Sequence, residues 1–217
     1  MVDTVIVGKF VGVNALAGVG STGAINFLVI GFALGICSGF SIMIAQRFGA
    51  GDYSGMRKFI ANSIYLCIAV AVILTAVTML LTKPILTVMN TPKEIYDYAY
   101  NYIIIIFAGI SATMFYNILS GILRAVGDSR TPLIFLGVSS VLNVGLDLLC
   151  IIVFKMGVAG AGIATVISQA ISAFLCLIYI RKNYDILRFE HDEFKFEAHR
   201  AKRLVSCLLY TSDAADD

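Results

Sequence analysis

An acidic residue sits inside a predominantly apolar stretch, Pro132 to Phe154, and that combination limits what the chain can become. The stretch exceeds the roughly 20 residues a helix needs to cross the hydrocarbon core of a bilayer. Asp147 costs about 2.5–3.5 kcal/mol near the centre of such a helix, whereas each Leu, Ile, Val or Phe returns about 0.3–0.6 kcal/mol. More than a dozen of these surround it, so the segment inserts. The carboxylate then has to face protein or water rather than lipid. Asn143 lies one turn before Asp147 on the same face, and Ser140 precedes Asn143 on the same stripe.

The rest of the chain agrees with a membrane setting. Of its 217 residues 59% are hydrophobic and 14% charged, with a mean hydropathy of +0.89. A soluble domain of this size does not hide that much apolar side chain. The expected class is therefore an all-α, polytopic membrane protein. A net charge of +2 points to no charged partner, and no nucleic-acid partner is expected. Cys37, Cys67, Cys150 and Cys176 lie in apolar runs, with no CxxC pair, and Cys207 follows them near the end. They read as small core residues rather than disulfides or metal ligands. No basic start followed by a short apolar core and a cleavage site marks a signal peptide.

Residues 1–8 are too short to span and read as the last turns of a first helix. The Gly-rich residues 11–20 read as a turn. Spanning helices are expected at about 21–45, 59–81, 98–123, 132–154 and 158–180. The first of these repeats glycine at 31, 35 and 39, which admits a closely packed neighbour. The 59–81 helix is the most uniformly apolar and should face lipid. Residues 46–58 read as a flexible polar loop, and Pro84 and Pro92 mark another loop. Tyr96, Tyr98, Tyr100 and Tyr102 read as an interfacial aromatic belt. Residues 183–205, with Phe189, Phe194 and Phe196 among charges, read as an amphipathic connector on the membrane surface. Residues 206–217 match nothing before them and read as a non-native tail. Arg47, Arg57, Lys58, Arg124, Arg130, Arg181, Lys182 and Arg188 fall in one set of loops, and only Lys9, Lys83, Lys93 and Lys155 in the other. The positive-inside rule places loops 46–58, 124–131 and 181–205 in the cytoplasm.

Two further helices carry polar stripes: Thr113, Asn117 and Ser120, and then Thr165, Ser168, Gln169 and Ser172. With Asn143 and Asp147, three polar faces suggest a shared wet interior, and Asp3 could point at it. Oxygen ligands of this type suit a hard cation such as Na+, and a buried carboxyl suits a proton. Ser and Thr within a membrane also simply tie helices together. An intramembrane acid, in contrast, is a functional candidate by default. Gly18 to Gly23 matches GxGxxG, but no strand-helix unit or following acid surrounds it, so a Gly-rich turn is the reading. Ala125-Val-Gly-Asp128 is close to the GxGD of intramembrane proteases, but Asp128 lies between arginines in a loop, so a helix-linking turn is expected and no enzyme.

Several pieces together are familiar. Val2-Asp-Thr-Val-Ile-Val-Gly8, the helix end from Ile44 to Asp52, the hairpin Gly121 to Pro132, Asn143-Val-Gly-Leu-Asp147 and Gly157 to Thr165 occur in this order. The chain resembles, over about residues 1–182, the amino-terminal half of a MATE (multidrug and toxic compound extrusion) family transporter. The resemblance implies one incomplete bundle of a twelve-helix, two-bundle fold, and export of amphipathic, often cationic, compounds against H+ or Na+. It implies a cation site formed by Asp3, Asn117, Asn143, Asp147 and Thr165, with Thr113, Ser140, Ser168 and Gln169 as further polar lining. No cofactor is implied beyond the coupling ion. The implied partners are the substrate, that cation, the lipid bilayer and a carboxy-terminal bundle, and the implied location is a bacterial-type inner membrane. The fragment alone is not expected to transport, because alternating access moves one bundle against another. The nearest rival is a flippase of lipid-linked sugars, whose cationic cavity is disfavoured by the lack of mid-span Lys and Arg. The other is a structural membrane module, which a sodium or proton effect on the purified protein would argue against.

Overall fold

The computed structural model describes residues 2–189, 193–194 and 196–213, with the side chains of Val2 and of residues 207–213 outside the description. Among the described residues every regular element is helical. Helices α1 (Val2–Phe10) and α2 (Val13–Ser21) lead into α3 (Gly23–Gly49), α4 (Tyr53–Val88), α5 (Lys93–Ala108) and α6 (Ile110–Ala125). Then come α7 (Arg130–Leu148), a π-helical turn (Leu149–Val153), α8 (Gly157–Asn183), a 3-10 turn (Asp185–Leu187) and α9 (Ala198–Asp213). Four of these helices are long and apolar enough to cross a membrane. A fifth span arises if α5 and α6, bent by 45° at Gly109, count as one.

Several expected boundaries move. Residues 11–20 are not a turn, because most of them form α2. The break that ends α2 is short: the Ser21 hydroxyl donates to Gly18 O (2.8 Å) and the buried Thr22 hydroxyl to Val19 O (2.7 Å). Such back-bonding competes with the regular ladder and bends helices. The expected loop 46–58 shrinks to residues 50–52, since α3 runs to Gly49 and α4 begins at Tyr53. Asp52 starts α4 by accepting from Gly55 N (2.9 Å) and pairs with Arg47 (3.1 Å). Pro84 lies within α4 rather than in a loop. Helices outrun the expected spans because hydropathy marks membrane depth, whereas a helix ends where a cap or glycine stops it.

Two apolar cores organise the bundle. The larger joins α3, α4, α5, α6 and α8 around Phe40, Phe59, Phe107, Met114 and Leu123. The smaller packs Ile6 and Val7 of α1, Ala15 and Val19 of α2, Tyr102 and Ile106 of α5 and Ala161 of α8. Glycine permits two close crossings. A Cβ on Gly18 would lie 2.7 Å from Tyr98 Cβ, and one on Gly160 3.0 Å from Cys150 Cβ in the π turn. No such partner covers Gly31 and Gly35, where nothing lies within 4 Å, so the close approach expected there is not made among the described residues; Gly39 is buried. Cys37, Cys67, Cys150 and Cys176 are buried and free. The outward face of α4 carries exposed Ile68, Val72, Ile73, Val77 and Leu80.

The segment after α8 docks at one end of α4. The Glu193 carboxylate accepts from Ser54 Oγ (2.8 Å) and from the Arg57 guanidinium, and Phe194 and Phe196 stack around Tyr65. Helix α9 packs its buried Ala201 and Leu204 against α3 and α4. The connector is thus partly folded onto the bundle, and its last helix runs without a break past residue 206. Residues 190–192, 195 and 214–217, which the expected connector and tail include, lie outside the described residues.

Candidate functional site

The smaller core carries the polar cluster. Helix α7 lies along α8, and α1 crosses both. Asn143 and Asp147 come from α7, Thr165 from α8 and Asp3 from the first turn of α1. Asn143 Nδ2 donates to Thr165 Oγ1 (3.3 Å), and Thr165 Oγ1 lies 3.1 Å from Asp3 Oδ2 and 3.0 Å from Ala161 O. A hydroxyl has one proton, so Thr165 shares it between the carboxylate and the carbonyl while accepting from the amide.

Asp147 has no exposed surface, and neither carboxylate oxygen finds a hydrogen-bond donor among the described residues. Its side chain is instead within interaction range of the Asp3 carboxylate. Two carboxylates so placed repel unless a proton or a cation lies between them. Buried polar atoms are ordinarily paired, and each exception asks for an explanation. The π turn begins two residues beyond Asp147, with Phe154 N bonded to Leu149 O (3.1 Å). Such widened turns are frequent at functional sites.

Tyr102 is the member that sequence reasoning missed. It is buried in the smaller core with Ile6 and Val7 of α1, near enough to feel the charges of Asp3 and Asp147, instead of marking the membrane interface. Tyr98 and Tyr102 are four residues apart and pack in the smaller core, whereas Tyr96 and Tyr100 stack against each other at 6.4 Å on another face. That four-residue spacing within the tyrosine run was the available signal.

The other expected residues separate. Asn117 donates to Thr113 O on its own helix (2.7 Å), and among the described residues no hydrogen bond joins it to Asp3, Asn143, Asp147 or Thr165. Thr113 is half-buried and supplies that carbonyl. Ser140 is exposed and bonds back to Leu136 O (3.0 Å), so it lies outside the buried cluster. Ser168 is buried and donates to Thr165 O (2.9 Å), bracing the backbone of the Thr165 turn. Gln169 is half-buried, and its Oε1 has no donor among the described residues.

Two carboxylates, an amide and a hydroxyl form an oxygen-rich set suited to a hard cation or a proton. Among the described residues no three His, Cys, Asp or Glu side chains converge, so no thiolate- or imidazole-based metal centre is formed.

Comparison with known proteins adds the family. A family model described as MatE matches residues 1–149. The probable multidrug resistance protein YoeA of Bacillus subtilis is 33% identical over 88% of this chain and 42% of its own length. The probable multidrug resistance protein NorM of Thermotoga maritima is 33% identical over 84% of this chain and 40% of its own. A solved inward-facing multidrug resistance MATE family transporter of the MOP superfamily superposes with a TM-score of 0.87 at 25% identity, covering 96% of this chain and 48% of that one. The chain therefore spans less than half the length of the relatives it matches. On these grounds this chain, a multi-pass membrane protein, belongs to the MatE family.

Proposed function

We propose that the chain is one half of a cation-coupled antiporter that exports amphipathic, often cationic, organic compounds from the cytoplasm across a bacterial-type plasma membrane. The relatives' names as multidrug resistance and export proteins support the substrate class. The observation that carries the coupling role is the Asp147 carboxylate, fully buried and without a donor, facing Asp3 beside Thr165 and Asn143. On this reading H+ or Na+ settles between the two carboxylates and draws α1, α7 and α8 together. Coupling follows if the cation-bound and drug-bound forms favour different arrangements of the two halves. The face offered to the second half is that of α3 and α7, where Gly31, Gly35, Gly137 and Gly145 meet nothing within 4 Å.

The test is Asp147→Asn in the protein carrying both halves. The variant keeps the shape of the side chain and removes its charge. It is expected to reach the membrane in normal amount and to lose drug resistance. Undiminished resistance at equal abundance would remove Asp147 from the mechanism. Transport assays in vesicles with an imposed sodium or proton gradient separate the two ions.

A further inference from the structure

Two cavities lie away from the carboxylate cluster, on the opposite flank of α8. The first, of about 510 Å³, runs between α4, α6 and α8 and is walled by residues such as Ile68, Ala71, Ala112, Ile118, Ala173 and Phe174. Apart from Ser111 and Cys67 its lining is apolar. The second, of about 680 Å³, continues along the same three helices toward the arginine-rich end, with Ile60, Leu119, Ile122, Leu177 and Ile180 in its wall. Both share Ile64 and Phe115, so they form one track. Each has the size of a small-molecule pocket, about 300–1,000 Å³.

The mouth of the track differs in chemistry from its floor. Arg181 and Arg188 line it together with Tyr184, Phe189 and Phe194. Arg181 is exposed and makes no ion pair among the described residues. Arg188 pairs with Asp185 at 2.9 Å, but both side chains are largely exposed, and a pair of that kind is weak and exchangeable. Phe189 and Phe194 meet edge to face at 5.0 Å, an aromatic lip of the type found at headgroup level.

We infer that this track binds an anionic phospholipid, its phosphate between Arg181 and Arg188 and an acyl chain laid between α4, α6 and α8. The length fits. From Arg181 to Ala170, the deepest wall residue on α8, the helix rises about 17 Å at 1.5 Å per residue. That is close to half of a hydrocarbon core about 30 Å thick, the reach of one leaflet. Charge fits as well, because the end rich in arginine is the one that meets the anionic cytoplasmic leaflet under the positive-inside rule. An apolar slot within a bilayer gains no water, so a chain lying in it restores contacts that an open slot forgoes. The small-residue face on α3 and α7 lies elsewhere, which leaves the track to lipid. This site is independent of the cation reading.

The test uses the 217-residue chain in detergent and native mass spectrometry. Dioleoyl-phosphatidylglycerol is titrated against dioleoyl-phosphatidylcholine, with dihexanoyl-phosphatidylglycerol and inorganic phosphate as separate arms. The two arginines are expected to give an anionic preference of about 30-fold. Arg181→Ala/Arg188→Ala should bring that preference close to one, while Lys83→Ala/Lys93→Ala leaves it intact. Ala170→Phe, which fills the deep end from an exposed position, should weaken both dioleoyl lipids several-fold and spare the dihexanoyl one. A diazirine at the acyl terminus should label residues 67–72 or 170–174. Equal binding of the two headgroups, a preference that survives the double arginine variant, or phosphate alone binding as tightly as the lipid would each overturn the proposal. So would a second copy of the chain excluding lipid, seen as a dimer that carries none.

Discussion

The contact between Glu193 and Arg57 fixes the segment after α8 to the bundle, and its removal has a calculable cost. Their side chains are only 5% and 13% exposed. Glu193 accepts from Ser54 Oγ (2.8 Å) and twice from Arg57, whose Nη1 also reaches Ile186 O (3.3 Å). Nearby, the Glu197 amide donates to Asn62 Oδ1 (2.9 Å). Glu193→Ala removes the carboxylate that accepts from both the Arg57 guanidinium and Ser54 Oγ at a buried site. Breaking a buried pair from one side costs about 3–5 kcal/mol. Because the contact holds a segment rather than the whole bundle, that energy falls on the docking equilibrium and raises the undocked population by roughly two to nearly four powers of ten. Amide hydrogen exchange read by mass spectrometry on the detergent-purified chain checks this at Glu197, whose bonded amide reports the opening. Arg57→Ala should act similarly, and the double variant should cost less than the two singles together, since both singles delete the same contact. If exchange at Glu197 accelerates less than about fivefold in Glu193→Ala, the pair behaves as a surface pair and the reasoning fails.

Two further outcomes follow from local geometry. Gly18→Ala places a methyl 2.7 Å from Tyr98 Cβ and 3.1 Å from both Ala99 N and Ile95 O; backbone cannot step aside, so a loss of about 1–3 kcal/mol is expected in thermal unfolding. Gly20→Ala, which meets nothing within 4 Å, should leave stability equal or higher, and equal losses at both positions would refute the packing argument. Tyr184 donates to Asp128 Oδ2 (2.9 Å) across the turn between α6 and α7. Partial burial and that bond push the Tyr184 phenol up to about 12. Burial opposes ionisation of Asp128, but hydrogen bonds from Thr131 and Tyr184 outweigh it and hold the carboxyl below its ordinary 3.8. The depressed acid contributes stability that is present above pH 3.8 and lost as pH falls through its lower native value. The raised phenol contributes stability that is present below pH 10 and lost as pH rises through about 12. Tyr184→Phe should abolish the alkaline loss and shift the Asp128 carbon-13 titration upward; an unmoved titration would show the bond to be unimportant.

What the sequence made legible has a common cause. Spanning helices and Asp147 stand out because membrane insertion is priced residue by residue, and an acid in an apolar run is conspicuous without any tertiary knowledge. Among the partners of that acid, Asn143 was legible because helix periodicity alone decides a face, and Thr165 and Asp3, which do join it, through the polar stripe of α8 and the family resemblance. Ser140 lies three residues before Asn143 and is exposed, whereas Ser139, four residues before Asn143 and in line with Asp147, is buried. Periodicity states which residues share a face and is silent on how far a neighbour covers that face. The same limit explains Asn117, whose amide turned to its own helix.

Residues 11–20 and Tyr102 show a second limit, and they are one case rather than two. The Gly-rich stretch looked like a turn because glycine weakens an isolated helix. It is helical because Gly18 lets α2 settle against α5 at Tyr98, where any side chain would collide with Tyr98 Cβ and crowd the backbone beside it. That same contact turns the Tyr98 face of α5 inward, and Tyr102, one turn on, is carried into the smaller core, within range of the charges of Asp3 and Asp147. A residue chosen for having no side chain therefore decides where a phenol points one helix away. Local propensity and hydropathy are each blind to this, since the first scores Gly18 as a breaker and the second scores Tyr102 as interfacial. Their joint failure at two sequence-distant positions marks a single packed contact, that of α2 on α5 in the smaller core.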